Sequence, residues 1–408
     1  MRRPLSIRAA AVAAAGAGGL ALGGPILRRT IGTRLAARTE RRMNGVMDPG
    51  PYFVPDAVEA LHRRLTIVDL HADSLLWGRD LLEDGDRGHA DVPRLVTGNV
   101  AVQVFGVATK VPRHLNLERN DDRTDDITLV ALALGWPRST WRSRIARAEH
   151  QASRLAAFSA VSENLLRSGP GRRLVLIRSV ADLDLFLARR EADRATVAGL
   201  LAIEGAQALD GDIANLGRLD AAGYRMVGLA HFFDNTFAGS AHGQRKGGLT
   251  AVGRELVGEL EARRMIVDLA HASAATIDDV LAIAMRPVVS SHTGVRAVAD
   301  NPRNLSDDQL RGIAATGGMV GIGFWPTASG GEDAASIARS IAHAVSVVGA
   351  DHVGLGSDFD GAVPTPFDAS GLALLTEALL AENLDEATIG AVMGGAAIHL
   401  LREALPPG

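Results

Sequence analysis

Eight short aliphatic runs alternate with stretches of helical period from about Pro51 onward, with no linker between them, and this rhythm predicts a (β/α)8 barrel of the TIM type. The runs are apolar without a break rather than on every second residue, which suits parallel strands covered on both faces. The stretches between them carry helix caps and apolar residues every three or four positions. Composition agrees with a globular body: 47% apolar and 22% charged residues, and a formal charge of -4 that gives nucleic acid nothing to bind.

In chain order the expected strands are Thr66–Leu70, Val100–Val107, Leu200–Ile203 and Met226–Ala230, then Ile266–Leu269, Val288–Ser290, Met319–Ile322 and Val353–Gly356. Helices are expected at Leu249–Arg264 behind a Thr250 cap, at Ala274–Ala284 and at Asp333–Val348, with Leu372–Leu380 and Asp385–Leu401 closing the fold. The interval between the second and third strands is too long for one crossover. It predicts a helical excursion, with a helix over Ser139–Arg167, an extra short strand at Arg173–Ile177 and a helix at Val180–Arg190.

Residues 1–45 read differently from the expected domain, 51–408. Arg2, Arg3 and Arg8 precede an uncharged run from Ala9 to Leu27, and Arg28 and Arg29 follow it. A signal or membrane-anchor-like leader has this arrangement. The expectation is membrane association through residues 9–27, or export, with a cytoplasmic location as the alternative.

The chemistry gathers where a barrel of this kind keeps its active site, at the C-terminal ends of the strands. The first strand runs into His71-Ala72-Asp73, the third into Glu204-Gly205, the fourth into His231, the fifth into His271, the sixth into His292 and the eighth into Asp358-Phe359-Asp360. Any one of these is an ordinary strand-end residue, but four of only 12 histidines share this one structural position. Cysteine is absent, which excludes disulfides, zinc-thiolate sites and cysteine nucleophiles and leaves imidazole and carboxylate as metal ligands. His71, Asp73, Glu204, His271 and His292 are too many for one catalytic zinc and suffice for two ions if Glu204, on the strand between the two groups, bridges them.

These residues resemble the membrane dipeptidase (renal dipeptidase) family of zinc metallopeptidases, from about residue 55 to 400. The carriers are Val68-Asp69-Leu70-His71-Ala72-Asp73, Ile203-Glu204-Gly205, Gly228-Leu229-Ala230-His231, Ile266-Val267-Asp268-Leu269-Ala270-His271, Ser290-Ser291-His292, Arg303-Asn304 and Gly354-Leu355-Gly356-Ser357-Asp358-Phe359-Asp360-Gly361. The resemblance implies dipeptide hydrolysis by a hydroxide bridging two Zn2+ ions per chain. His71 and Asp73 would hold one ion, His271 and His292 the other, and Glu204 both. It further implies that His231 contacts substrate and the oxyanion, that Arg303 takes the substrate carboxylate, and that Asp358 is the acid/base carboxylate. Trp325 stands where the family has a tyrosine, so it packs against substrate without the hydroxyl. His242, in a loop rich in Gly, Ser and Ala, reads as loop surface.

Two other classes fit the same barrel. One is an amidohydrolase-type enzyme acting on another small amide, lactone or ester. Such enzymes usually open with His-x-His and often bridge their metals with a carboxylated lysine after the fourth strand, whereas this chain has His71-x-Asp73 and His231 there. The other is a catalytically silent, membrane-tethered binding protein. The partners expected are a dipeptide substrate and a second copy in a homodimer.

Overall fold

The computed structural model describes residues 25–166 and 172–408. Its parallel strands are β1 (Ile67–Ala72), β2 (Val100–Ala108), β3 (Arg173–Leu176), β4 (Thr196–Glu204), β5 (Tyr224–Gly228), β6 (Ile266–Asp268), β7 (Val289–Thr293), β8 (Met319–Ile322) and β9 (Val353–Leu355). They run β2-β1-β9-β8-β7-β6-β5-β4, and β2 also pairs with β4, so these eight close on themselves as the sequence predicts. The extra strand β3 lies along the first residues of β4, Thr196–Gly199, on the edge that β5 takes further along.

The eight barrel strands have no exposed residue, and this is why most of them are apolar along their length rather than on every second residue. Val68, Leu70, Val104, Leu200, Met226 and Val289 pack together and against the closing helix Ala396–Ala404. The helices begin where the caps lie: Thr250 accepts from Gly253 N at 3.0 Å and Asp333 from Ser336 N at 2.8 Å. The single closing helix expected over 385–401 is instead two, Glu386–Gly390 and Ala396–Ala404, joined by a wider turn. Gly394 sits in that turn, where a Cβ would lie 2.1 Å from the Thr66 carbonyl oxygen; its bare backbone lets the turn rest on the start of β1.

The excursion after β2 contains the helix Arg144–Leu166, inside the expected range. Most of the uncharged run Ala9–Leu27 lies outside the described residues. Among the described residues no helix is long and apolar enough to cross a membrane. The helix Pro25–Met43, within the stretch read as a leader, packs on the helix Ile127–Ala133 and buries Ala36 and Glu40.

Candidate metal centre

Each predicted ligand stands at a strand end, and the barrel's closure brings them to one point. His71 is on β1, Glu204 ends β4 and His292 is on β7, while Asp73, His271 and Asp358 follow β1, β6 and β9. A bridge from Ala72 to Phe359 ties the chain beyond β1 to the chain beyond β9, which sets Asp73 beside Asp358. His271 and Asp358 both adopt left-handed backbone, with φ of 62° and 59°, a conformation uncommon outside glycine and concentrated at working sites. Gly106 on β2 leaves room: a Cβ there would lie 2.5 Å from Cε1 of His71.

Glu204 is the hub. Its Oε1 lies 3.1 Å from His271 Nε2, 3.5 Å from His292 Nε2 and 3.6 Å from His71 Nε2. Its Oε2 lies 3.2 Å from His231 Nε2. His271 Nε2 is 3.0 Å from His292 Nε2, and the His71 and His292 rings stack at 3.8 Å between centroids. Asp73 and Asp358 approach His71 Nε2 at 3.7 and 3.9 Å.

This donor set fits divalent cations. Three overlapping triads, His71–Asp73–Glu204, Glu204–His271–His292 and His71–His292–Asp358, each offer ligand atoms within 4.8 Å of one another. All these side chains are buried, and His71 Nε2, Asp73 Oδ1 and Glu204 Oε2 have no hydrogen-bond partner among the described residues. Buried lone pairs turned on one another are costly unless a positive charge sits between them.

The titrations express the same crowding. Burial and the neighbouring Asp73 carboxylate push Glu204 well above the usual carboxylate range. Burial likewise pushes Asp358 up to about 8, against the opposing charge of His71. Burial works against a charged His71, but Asp73, Glu204 and Asp358 together push it up to about 10. His231, His271 and His292 are pushed well down by burial and by the positive charges around them.

Residues 56–405 match the sequence profile of the family described as membrane dipeptidase, peptidase family M19. The chain belongs to that family. Dipeptidase verJ of Clonostachys rogersoniana is 30% identical over 318 residues, covering 75% of this chain and 80% of its own. Among solved structures, the dipeptidase AC of family M19 aligns at 27% identity with a TM-score of 0.64, over 84% of this chain and 99% of its own. A metallopeptidase from Rhodobacter sphaeroides, liganded with a phosphinate mimic of the dipeptide L-Ala-D-Ala, aligns at 26% identity with a TM-score of 0.62, over 83% of this chain and 99% of its own.

Around this membrane dipeptidase-family site the other predicted residues lie close. Buried Arg303 donates through Nη2 to the His292 carbonyl, and its guanidinium sits 5.8 Å from the centroid of Trp325. Burial pushes Arg303 down to about 10, with Asp358 opposing the shift. Trp325 is 5.9 Å from His292, ring to ring.

Sequence reasoning misplaced one residue. His242 is not on the loop surface: it is 1% exposed, with its ring 5.2 Å from that of His271. The residues that bury it come from the excursion, where Leu117 O lies 2.7 Å from His242 Nδ1 and Asn120 N donates to His242 O at 2.8 Å. No local pattern announces a contact across that separation. Two positioning aspartates, Asp69 and Asp268, also went unassigned, although each stands in a Val-Asp-Leu run two or three residues before a histidine.

Proposed function

We propose that this chain is a binuclear zinc dipeptidase. One observation carries the reading: a single buried carboxylate, Glu204, lies within 3.6 Å of histidines from both halves of the ligand set, His71 and His271. His71 and Asp73 would hold one zinc, His271 and His292 the other, and Glu204 would bridge them. Zinc held by these residues would supply Lewis-acid chemistry and a water acidic enough to attack near neutral pH.

The chain's own groups supply the rest. Asp358, buried 3.9 Å from His71 Nε2, takes a proton from the attacking water and passes it to the departing amine. His231 offers a ring N–H to the amide oxygen as negative charge builds. Arg303, steadied by the His292 carbonyl and backed by Trp325, presents a cationic fork to the substrate's terminal carboxylate. A carboxylate demanded so close to the reacting bond favours dipeptides over long chains. The phosphinate dipeptide mimic bound by the Rhodobacter sphaeroides relative supports the same substrate class.

The domain boundary near residue 45, membrane association through residues 9–27 and a homodimer remain part of this proposal. The test of the chemistry is elemental analysis of the purified protein beside a panel of dipeptides, lactones and phosphotriesters. Two zincs per chain and selective dipeptide cleavage are expected. Asp358→Asn should lower kcat by about 10²- to 10⁴-fold with the zinc content unchanged; full activity in that variant would remove Asp358 from its role.

A further inference from the structure

His242 is a buried titratable group beside His271 that this chemistry leaves unused. Its loop is built into the site: Ser240 Oγ donates to the His231 carbonyl and accepts from His242 N at 3.0 Å. The excursion fixes its other side, since His242 O accepts from Asn120 N at 2.8 Å and from Asn120 Nδ2 at 3.2 Å. The ring stands 5.2 Å from His271 and 5.2 Å from Phe232, centroid to centroid.

The hydrogen bonds fix its tautomer. Nδ1 faces the Leu117 carbonyl at 2.7 Å, and a carbonyl can only accept, so Nδ1 carries the hydrogen. Nε2 is left with a lone pair, buried and without a partner among the described residues. A buried acceptor in that state is costly unless a ligand supplies a donor.

A dipeptide has two donor groups, its peptide N–H and its α-ammonium. The peptide nitrogen is where Asp358 delivers its proton, and Arg303 claims the carboxylate end. The α-ammonium is therefore the donor still without a partner. A neutral imidazole suits it, because a further carboxylate beside Asp73, Glu204 and Asp358 would compete for the cations.

We infer that His242 Nε2 accepts a hydrogen bond from the free α-ammonium group of the substrate, which makes His242 a residue that selects unblocked N-termini. The inference rests on the dipeptidase reading.

The test compares a phosphinate dipeptide mimic with its N-acetylated form, by calorimetry on zinc-loaded protein. His242→Asn is the main variant, because its amide nitrogen can keep the bond to Leu117 while the Nε2 acceptor is lost. We expect it to weaken binding of the free-amine mimic about 10- to 100-fold, leaving the acetylated form within about twofold of wild type. His242→Phe, which fills the space with no acceptor, should behave alike, and zinc content measured on both reports that the centre is intact. Unchanged discrimination in a zinc-loaded variant, with wild-type protein cleaving dipeptides, overturns this contact alone. A zinc-loaded wild type that cleaves no dipeptide overturns the dipeptidase reading and this contact with it.

Discussion

Two aspartates perform the same task on opposite sides of the centre. Asp268 accepts from Ser291 N at 2.9 Å and from Ser291 Oγ at 2.6 Å, and Asp69 accepts from Ser357 N at 2.8 Å and Ser357 Oγ at 2.6 Å. Each serine immediately precedes a site residue, His292 or Asp358. Ser291 Oγ gives its hydrogen to Asp268 and so receives one from His292 Nδ1, at 2.9 Å, which leaves His292 Nε2 a lone pair turned towards Glu204. Ser291→Ala should therefore weaken zinc binding about 10- to 100-fold, measured by competition with a chelator. Gly106→Ala acts on the partner half by forcing the His71 ring aside. Misplacement of that order should cost about 100-fold in kcat/KM, read by dipeptide hydrolysis.

At the scale of elements, the helix Asp56–Arg64 illustrates how a non-catalytic histidine supports the barrel. His62 links Thr376, at 2.9 Å from Nδ1, to the Gly98 carbonyl, at 3.2 Å from Nε2, and so joins the middle of the helix Leu372–Ala381 to the end of the helix Val92–Thr97. Burial pushes its pKa below 6.5 despite that carbonyl. The unfolded chain then takes up a proton that the folded one refuses, so the contribution of His62 is present above about pH 6.5 and is lost as pH falls below it. His62→Gln should flatten the decline of Tm between pH 7 and pH 5.5 in a thermal scan. The helix Asp56–Arg64 has no side-chain cap and was not legible in the sequence, whereas other elements were, because caps and apolar runs are local: Thr250 and Asp333 open their helices, and all eight barrel runs are strands. The convergence of the candidate ligands was legible for a related reason, since a barrel fixes the place of a strand end. His242 was not, because its burial depends on Leu117 and Asn120, which reach it through the fold alone.

Across the whole molecule, a chain of buried charge runs from the N-terminal helix to the catalytic rim. Glu40, on Pro25–Met43, pairs with Arg79 through Oε1 and with Arg87 through Oε2 at 2.7 Å. Arg79 in turn pairs with Asp360, which accepts from Ser74 Oγ at 2.5 Å and from His89 N at 2.7 Å. Burial opposes the charge on Asp360, yet Arg79 and His89 hold its carboxyl below the usual carboxylate range. Asp360 stands two residues after Asp358 and shares its left-handed backbone, with φ of 63°. The helix thus adds a carboxylate to the pair that Arg79 makes with Asp360, two residues from Asp358. Glu40→Ala leaves Arg79 only its barrel partners Asp360 and Asp91 and leaves Arg87 only the exposed Asp86, and should cost about 1.5–3 kcal/mol in denaturant unfolding. Adding Arg79→Ala should cost less than the sum of the two single changes, because each partner's penalty includes the charge it abandons. Additive losses in that cycle would mean that helix and rim are held independently.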